Sequence, residues 1–241
     1  MSKETNEFFT IENLVAGYGK IPIIHDISLE ISQKSISAII GPNGAGKSTL
    51  TKAILNLVNI MDGEIKYKGN ELKDLSTNRI VENGIGYVPQ TNNVFASLTV
   101  QENLEISSGL IGKSEREVQI ENIYHSFPRL RDRRKLNGSS LSGGERQMLA
   151  IGSAILAKPE FLILDEPTTG LSPQLTDEVA EGIIEINKSG TTILWVVEEN
   201  PRQILSFANW VFVMDSGVLK TSQKASEILE SPNFRQLFLG I

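Results

Sequence analysis

Cysteine is absent from all 241 residues. That removes disulfides, thiolate zinc sites and cysteine nucleophiles from consideration. Long hydrophobic runs are missing as well: nothing approaches the roughly 18–20 apolar residues that a membrane span needs. The stretch from Met1 to Thr10 is polar, carries Lys3, Glu4 and Glu7, and has no apolar signal-peptide segment. The expectation is a protein made and kept in the cytoplasm, reaching the inner face of the cell membrane only through a partner. Positive charge is the scarcer sign, 23 Lys and Arg against 29 Asp and Glu, for a net charge of −6. Such a chain lacks the electrostatic footprint of a dedicated nucleic-acid binder. There is no internal repeat, low-complexity segment or long linker. With 40% hydrophobic residues, the chain can fill one large α/β domain, or a domain with a sub-lobe.

Leu14-Val15-Ala16 and the alternation Ile27, Leu29, Ile31 read as strands of period two. Ile36–Ile40 is a short β-branched run with the look of a buried parallel strand. A glycine-rich turn follows it. A helix is expected from about Lys47 to Val58, ending before a turn at Asp62-Gly63. Glu64–Tyr67 and Gly84–Val88 are further strands. From about Thr99 to Leu156 the spacing turns helical. Phe161–Leu164, Thr191–Val197 and Val211–Met214 restore buried strands, the last closed by Asp215-Ser216-Gly217. Strands, a helical block and strands again predict an α/β core with a helical insertion.

Gly41-Pro42-Asn43-Gly44-Ala45-Gly46-Lys47-Ser48-Thr49 fits the phosphate-binding pattern G-x-x-x-x-G-K-[ST]. Its glycines let backbone N–H groups curl toward an anion, and the helix that follows aims its positive end at the same point. Lys47 then serves the β- and γ-phosphates of a bound nucleotide, Ser48 the Mg²⁺, and Thr49 the α-phosphate region; even with an acidic strand beside it, the loop would still admit kinases, GTPases and helicases. A bare glycine-rich turn is the alternative, but the loop sits after a strand and before a helix, as the motif demands. Phe161-Leu162-Ile163-Leu164-Asp165-Glu166 is an apolar strand ending in two acids, delivered to the ligand edge of a parallel sheet. Asp165 is the candidate Mg²⁺ group and Glu166 the candidate general base. Alone, such a strand would read as one running into a solvated turn. The upstream loop favours catalysis.

Leu141-Ser142-Gly143-Gly144-Glu145-Arg146-Gln147 resembles the LSGGQ-type signature of ABC ATPases, with Glu145 where Gln is usual. By residue type, Ser142 and its glycines open a helix and form a second anion site; an N-capped helix start without a ligand is the plainer reading. The resemblance implies a P-loop ATPase core with a parallel sheet, an antiparallel β sub-lobe and an inserted helical subdomain. It places core and sub-lobe at about 1–91 and 157–241, and the helical subdomain at about 92–156. It also implies that Ser142, Gly143, Gly144 and Glu145 act on ATP held by an opposite subunit. Tyr18 would stack on adenine, and Gln90 would link Mg²⁺ to the helical lobe. Implied partners are transmembrane permeases, a second ABC ATPase of the same or related kind and, indirectly, an extracytoplasmic solute-binding protein.

A narrower similarity, to branched-chain amino-acid importers, rests on Thr99–Leu104, Phe127-Pro128-Arg129-Leu130, Gln147–Gly152 and Leu237-Phe238-Leu239-Gly240. It implies import of Leu, Ile and Val; urea and amide importers share much of the pattern. Two departures stand out. Ser172 replaces the usual Asp after Thr169-Gly170-Leu171. Glu198 replaces the usual switch histidine, and neither His25 nor His125 is placed to substitute. Together they keep open a subunit that binds ATP with impaired hydrolysis. DNA-repair members carry long coiled coils that the interval from Lys47 to Leu141 cannot hold. Ribosome-acting members usually hold two cassettes. The run Arg129, Arg131, Arg133, Arg134, Lys135 reads as a solvated face or a contact for an acidic partner loop. Val94-Phe95-Ala96 reads as core or as part of an apolar groove for a membrane partner.

Overall fold

The computed structural model describes residues 8–91, 93–109 and 112–231. Lys3, Glu4, Glu7 and the stretch Leu237–Gly240 lie outside the described residues. In chain order come β1 (Phe9–Tyr18), β2 (Ile21–Ile31), β3 (Ile36–Ile40), α1 (Lys47–Ile54), β4 (Asn59–Tyr67), β5 (Asn70–Glu71) and α2 (Thr77–Glu82). Then follow β6 (Ile85–Val88), α3 (Val100–Ser107), α4 (Lys113–Ser126), α5 (Pro128–Asp132), α6 (Gly143–Ile155), β7 (Phe161–Asp165) and α7 (Pro173–Lys188). The last elements are β8 (Thr192–Val197), α8 (Pro201–Leu205), β9 (Trp210–Asp215), β10 (Val218–Lys224) and α9 (Ala225–Glu230). The chain divides into two compact units, one of residues up to Asn83 and from Thr192 onward, the other from Gly84 to Thr191.

The first unit carries an antiparallel sheet in the order β2-β1-β4-β5. In β2 the alternation is clean, with Ile27, Leu29 and Ile31 buried and Ser28 and Glu30 exposed, as one covered face requires. The same unit holds strands in the order β10-β9-β3-β8. Here β3 runs parallel to both β8 and β9, and all five of its residues are buried. A short apolar run covered on both faces is what the sequence predicts there. β10 returns antiparallel to β9.

Two expectations fail in this unit. The helix after the glycine-rich loop ends at Ile54, not near Val58. Asn56 takes a left-handed φ of 54°. Its N–H bonds to Ala53 O, and the N–H of Leu57 reaches back to Lys52 O. That paired closure terminates helices, with Asn in the place glycine usually takes. The Asn56 amide then ties the helix end to the carbonyls of Leu72 and Leu75 at 2.6 and 2.9 Å. Asp62-Gly63 is not an inter-element turn either. It lies inside β4, where the pairing with β1 shifts register between Glu12 and Val15. Gly63 has φ 83°, and a Cβ there would stand 2.5 Å from Asn13 O, so the bulge explains the glycine.

In the second unit β6 and β7 pair parallel, with Val88 opposite Leu164. The helices pack by close approach. Gly182 of α7 lies so near Phe127 that a Cβ would meet the ring at 2.1 Å, and Phe127 is 1% exposed. Thr99 and Ser142 both N-cap their helices through reciprocal capping boxes. The sequence reading leaves α2, α7, α8, α9, β5 and β10 unassigned. The α/β class with a block of helices between strands stands.

Candidate active site

The glycine-rich loop leaves the buried end of β3. Gly41 is required by crowding: a Cβ would lie 2.1 Å from the carbonyl oxygen of Met214 in β9. Pro42, Asn43 and Gly44 are exposed, while Ala45 turns inward, its N–H bonding to Pro42 O at 3.1 Å. From the β9–β10 turn, the Gly217 N–H donates to Ala45 O at 3.0 Å, fixing the loop from outside. Gly46, at φ 96°, caps α1. Lys47 is 4% exposed. Its ammonium donates to Gly41 O at 2.9 Å and Pro42 O at 3.2 Å, which pins the cation over the loop. Ser48 is half-buried and Thr49 buried in the first turn of α1. The helix's first N–H groups, which cannot bond within the helix, belong to this turn.

Tyr18 closes β1 and is 49% exposed. The Lys52 ammonium of α1 lies 3.5 Å from its hydroxyl and 6.0 Å from its ring centre. The exposed ring stands beside the cradle's own helix. Glu198 follows Val197, which pairs with Ile40 in the parallel register of β3 and β8. The strand before the loop and the strand before Glu198 therefore finish at the same edge. Glu198 is half-buried and makes no hydrogen bond or ion pair among the described residues.

In the second unit, register does the corresponding work. Because Val88 pairs with Leu164, Pro89-Gln90 and Asp165-Glu166 leave the same end of the β6–β7 pair. Asp165 is 3% exposed and accepts from the Tyr87 hydroxyl at 3.2 Å. Glu166 is 8% exposed and sits at φ 53°. A bulky residue held there costs about 1–3 kcal/mol and persists where its surroundings over-determine it. Those surroundings include the Gln90 amide, which donates to Glu166 Oε2 at 2.6 Å. Ser172 is the N-cap residue of α7, without a side-chain capping bond, followed by Pro173 in the first turn.

The signature helix α6 opens with a capping box. The Glu145 N–H donates to Ser142 Oγ at 3.3 Å, and the Ser142 N–H donates to Glu145 Oε2 at 2.9 Å. Arg133 adds a bond to Glu145 Oε1 at 3.1 Å. Burial pushes the Glu145 carboxyl up, but the Ser142 and Arg133 hydrogen bonds outweigh it and hold the group below the ordinary glutamate range. This accounts for Glu145 in place of glutamine. A carboxylate accepts from both the helix cap and the guanidinium. The Ser142 oxygen accepts in the cap, and its hydroxyl lies within hydrogen-bond reach of the Glu145 carboxylate. Gly143 and Gly144 form the first turn behind it.

Gln90, Asn93, Gly143, Arg146, Gln147, Glu166 and neighbours line an open cavity of about 470 Å³. The sequence reading names Gln90 for Mg²⁺ and Glu166 as base, without their direct hydrogen bond, and misses Tyr87, Asn93, Gln147 and Gly217. Of these, only Gly217 had a local signal, the Asp-Ser-Gly turn. The basic run is largely spent on internal pairs: Arg129 with Glu178, Arg131 with Glu121 and Arg133 with Glu145. Phe95 is 56% exposed, so it is not core. Among the described residues no helix is long and apolar enough to cross a membrane.

A strand–glycine loop–helix with a buried lysine, an acidic pair ending a parallel strand, and a capped signature helix define the class of ATP-binding cassettes. The chain belongs to the ABC transporter family, which matches residues 24–169. It is 38% identical over 223 residues to the high-affinity branched-chain amino acid transport ATP-binding protein BraG of Pseudomonas aeruginosa, covering 92% of this chain and 95% of that one. It is likewise 38% identical over 228 residues to a probable branched-chain amino acid transport ATP-binding protein, LivF, of Archaeoglobus fulgidus, covering 95% and 97%. A solved ATP-binding cassette, a dimer in a post-hydrolysis state bound to ADP and Pi, shares the fold with a TM-score of 0.79 at 23% identity, covering 90% of this chain and 98% of that one. The chain is the ATP-binding subunit of an ABC transporter, an ATPase coupled to transport.

Proposed function

We propose that this ATPase powers a branched-chain amino-acid importer from the inner face of the cell membrane, docked on separate permease subunits that receive substrate from an extracytoplasmic binding protein. The observation that carries the substrate class is near-end-to-end similarity, at 38% identity, to two ATP-binding proteins of branched-chain amino-acid transport from distant organisms. The pinned Lys47 and the glycine cradle fit the phosphates of ATP. Ser48 and Asp165, with Gln90, would hold Mg²⁺, which supplies charge neutralisation at the phosphates. Tyr18, exposed beside α1, offers its ring to adenine.

Glu166 is the general base of the proposal. Gln90 fixes its carboxylate, and the left-handed backbone fixes its direction. Glu198 takes no part in contacting the γ-phosphate. An ionised carboxylate only accepts hydrogen bonds, and unit charges 4 Å apart repel by roughly 4 kcal/mol at an effective dielectric of 20. Two such subunits, the same or related, close head to tail on ATP. The γ-phosphate held by Lys47 of one then meets the Ser142 hydroxyl and the helix start of the other. The support is chemical: both are anion sites built from helix N-termini. Reconstitution with permeases and binding protein tests the reading. Leucine, isoleucine or valine should raise ATP turnover, and urea should not. Stimulation by urea alone would assign the subunit to the amide importers.

A further inference from the structure

The loop that follows Gln90 is stapled at its far end. Asn103, 1% exposed, accepts from the Phe95 N–H at 2.8 Å. Its amide donates to the carbonyls of Phe95 and Leu98 at 3.0 and 3.2 Å. The N–H groups of Gly138 and Ser139 donate to Leu98 O and Ala96 O, each at 2.9 Å. Residues 95–98 are therefore fixed to α3 and to the segment that leads into the signature. At its near end the loop holds Glu166 through Gln90.

Asn93 ties the near end to α6. Its Nδ2 donates to Pro89 O at 3.1 Å and to Gln147 Oε1 at 2.9 Å. Pro89 O can only accept, so it fixes which way the Asn93 amide faces. That in turn requires the oxygen of Gln147, not its nitrogen, to face Asn93. Gln147 is 8% exposed and belongs to α6, the helix that Ser142 caps. Its Nε2 has no hydrogen-bond partner among the described residues, and the residue lines the cavity shared with Gln90 and Glu166. A buried amide left half-satisfied is destabilising. If packing were its only task, an apolar side chain of the same length would serve better.

We infer that Asn93 and Gln147 are positioning residues for Glu166. The path Gln147–Asn93–Pro89–Gln90–Glu166 transmits the placement of the signature helix to the base. Glu166 becomes competent only when α6 holds its place. This inference rests on the proposed role of Glu166 as general base. It predicts a defect in turnover without a defect in nucleotide binding, because neither residue belongs to the phosphate loop.

The test is a double-mutant cycle in the assembled transporter, with Asn93→Ala, Gln147→Met and both together in this chain. It reads kcat by phosphate release, ATP affinity by calorimetry, and the thermal midpoint. Each single change should lower kcat about tenfold, a loss of one group's placement in the transition state, with ATP affinity held within about twofold. The double variant should be no slower than the slower single, since both break one path. Unchanged kcat in either single variant would overturn the inference. So would losses that multiply in the double variant, or an affinity or midpoint that falls in step with kcat, which would mark the pair as packing only. If Glu166→Gln retained full turnover while the cycle showed its losses, the reading of Glu166 would fail, and with it the path to it. Absence of turnover in the assembled transporter carrying the unmodified chain would overturn both readings together.

Discussion

Lys47 donates to two carbonyls of its own loop, so its charge is held over the loop, and its proposed role at the phosphates makes a prediction. Lys47→Ala removes that charge, and charge-assisted hydrogen bonds are worth roughly 1.5–3 kcal/mol each, or about ten- to a hundredfold in affinity. An ATP titration by calorimetry should record that loss; unchanged affinity would refute the role. Glu198 makes the opposite prediction. Glu198→Ala should keep most ATP turnover in the assembled transporter, and a fall as deep as that of Glu166→Gln would make it a second catalytic group. Glu145 yields a pH dependence. Its folded carboxyl is held below the ordinary value of 4.5, so its contribution to stability is fully present above that value and is lost as pH falls through the folded pKa. The melting-temperature gap between the unmodified chain and Glu145→Gln should stay constant from neutral pH down to about 5 and shrink below about 4. A gap that widens with acid would reverse the assignment.

At the scale of elements, what placed the candidate residues was strand register. Val88 opposite Leu164 brings Gln90 to Glu166, and Ile40 opposite Val197 ends the loop strand and the Glu198 strand together. Loop, acidic strand and signature were legible because each is local: a run of residue types that carries its own strand, turn or cap. The helix end at Asn56 was misread although its signal was present, since Asn adopts the left-handed closure almost as glycine does. The Asp62-Gly63 bulge was misread because a bulge and a turn both ask for a positive φ, and only the pairing with β1 separates them. Asn93–Gln147 and Tyr87–Asp165 were invisible, joining residues 54 and 78 positions apart through polar side chains without any pattern. The Gly182–Phe127 approach was equally hidden. Gly182→Ala sets a methyl against a buried ring. It should destabilise the fold by about 1–3 kcal/mol, read as a lower midpoint in urea with an unchanged slope. A neutral result would mean that the ring has room to move.

On the scale of the whole molecule, ATP is proposed to close two cassettes head to tail, and hydrolysis to reopen them. Glu166→Gln keeps the shape of the residue and an oxygen to accept from Gln90 while removing the proposed base, so it should trap the closed pair. Gel filtration of that variant with Mg-ATP, alone and with a partner ATPase, should show a dimer; a monomer in both cases would sink head-to-tail closure. The most direct measurement compares the unmodified chain and Glu166→Gln in one assembled transporter, recording bound ATP and released phosphate together. The account predicts equal ATP binding and phosphate release reduced to nearly nothing in the variant. Phosphate release that continues at the unmodified rate with ATP bound would contradict it.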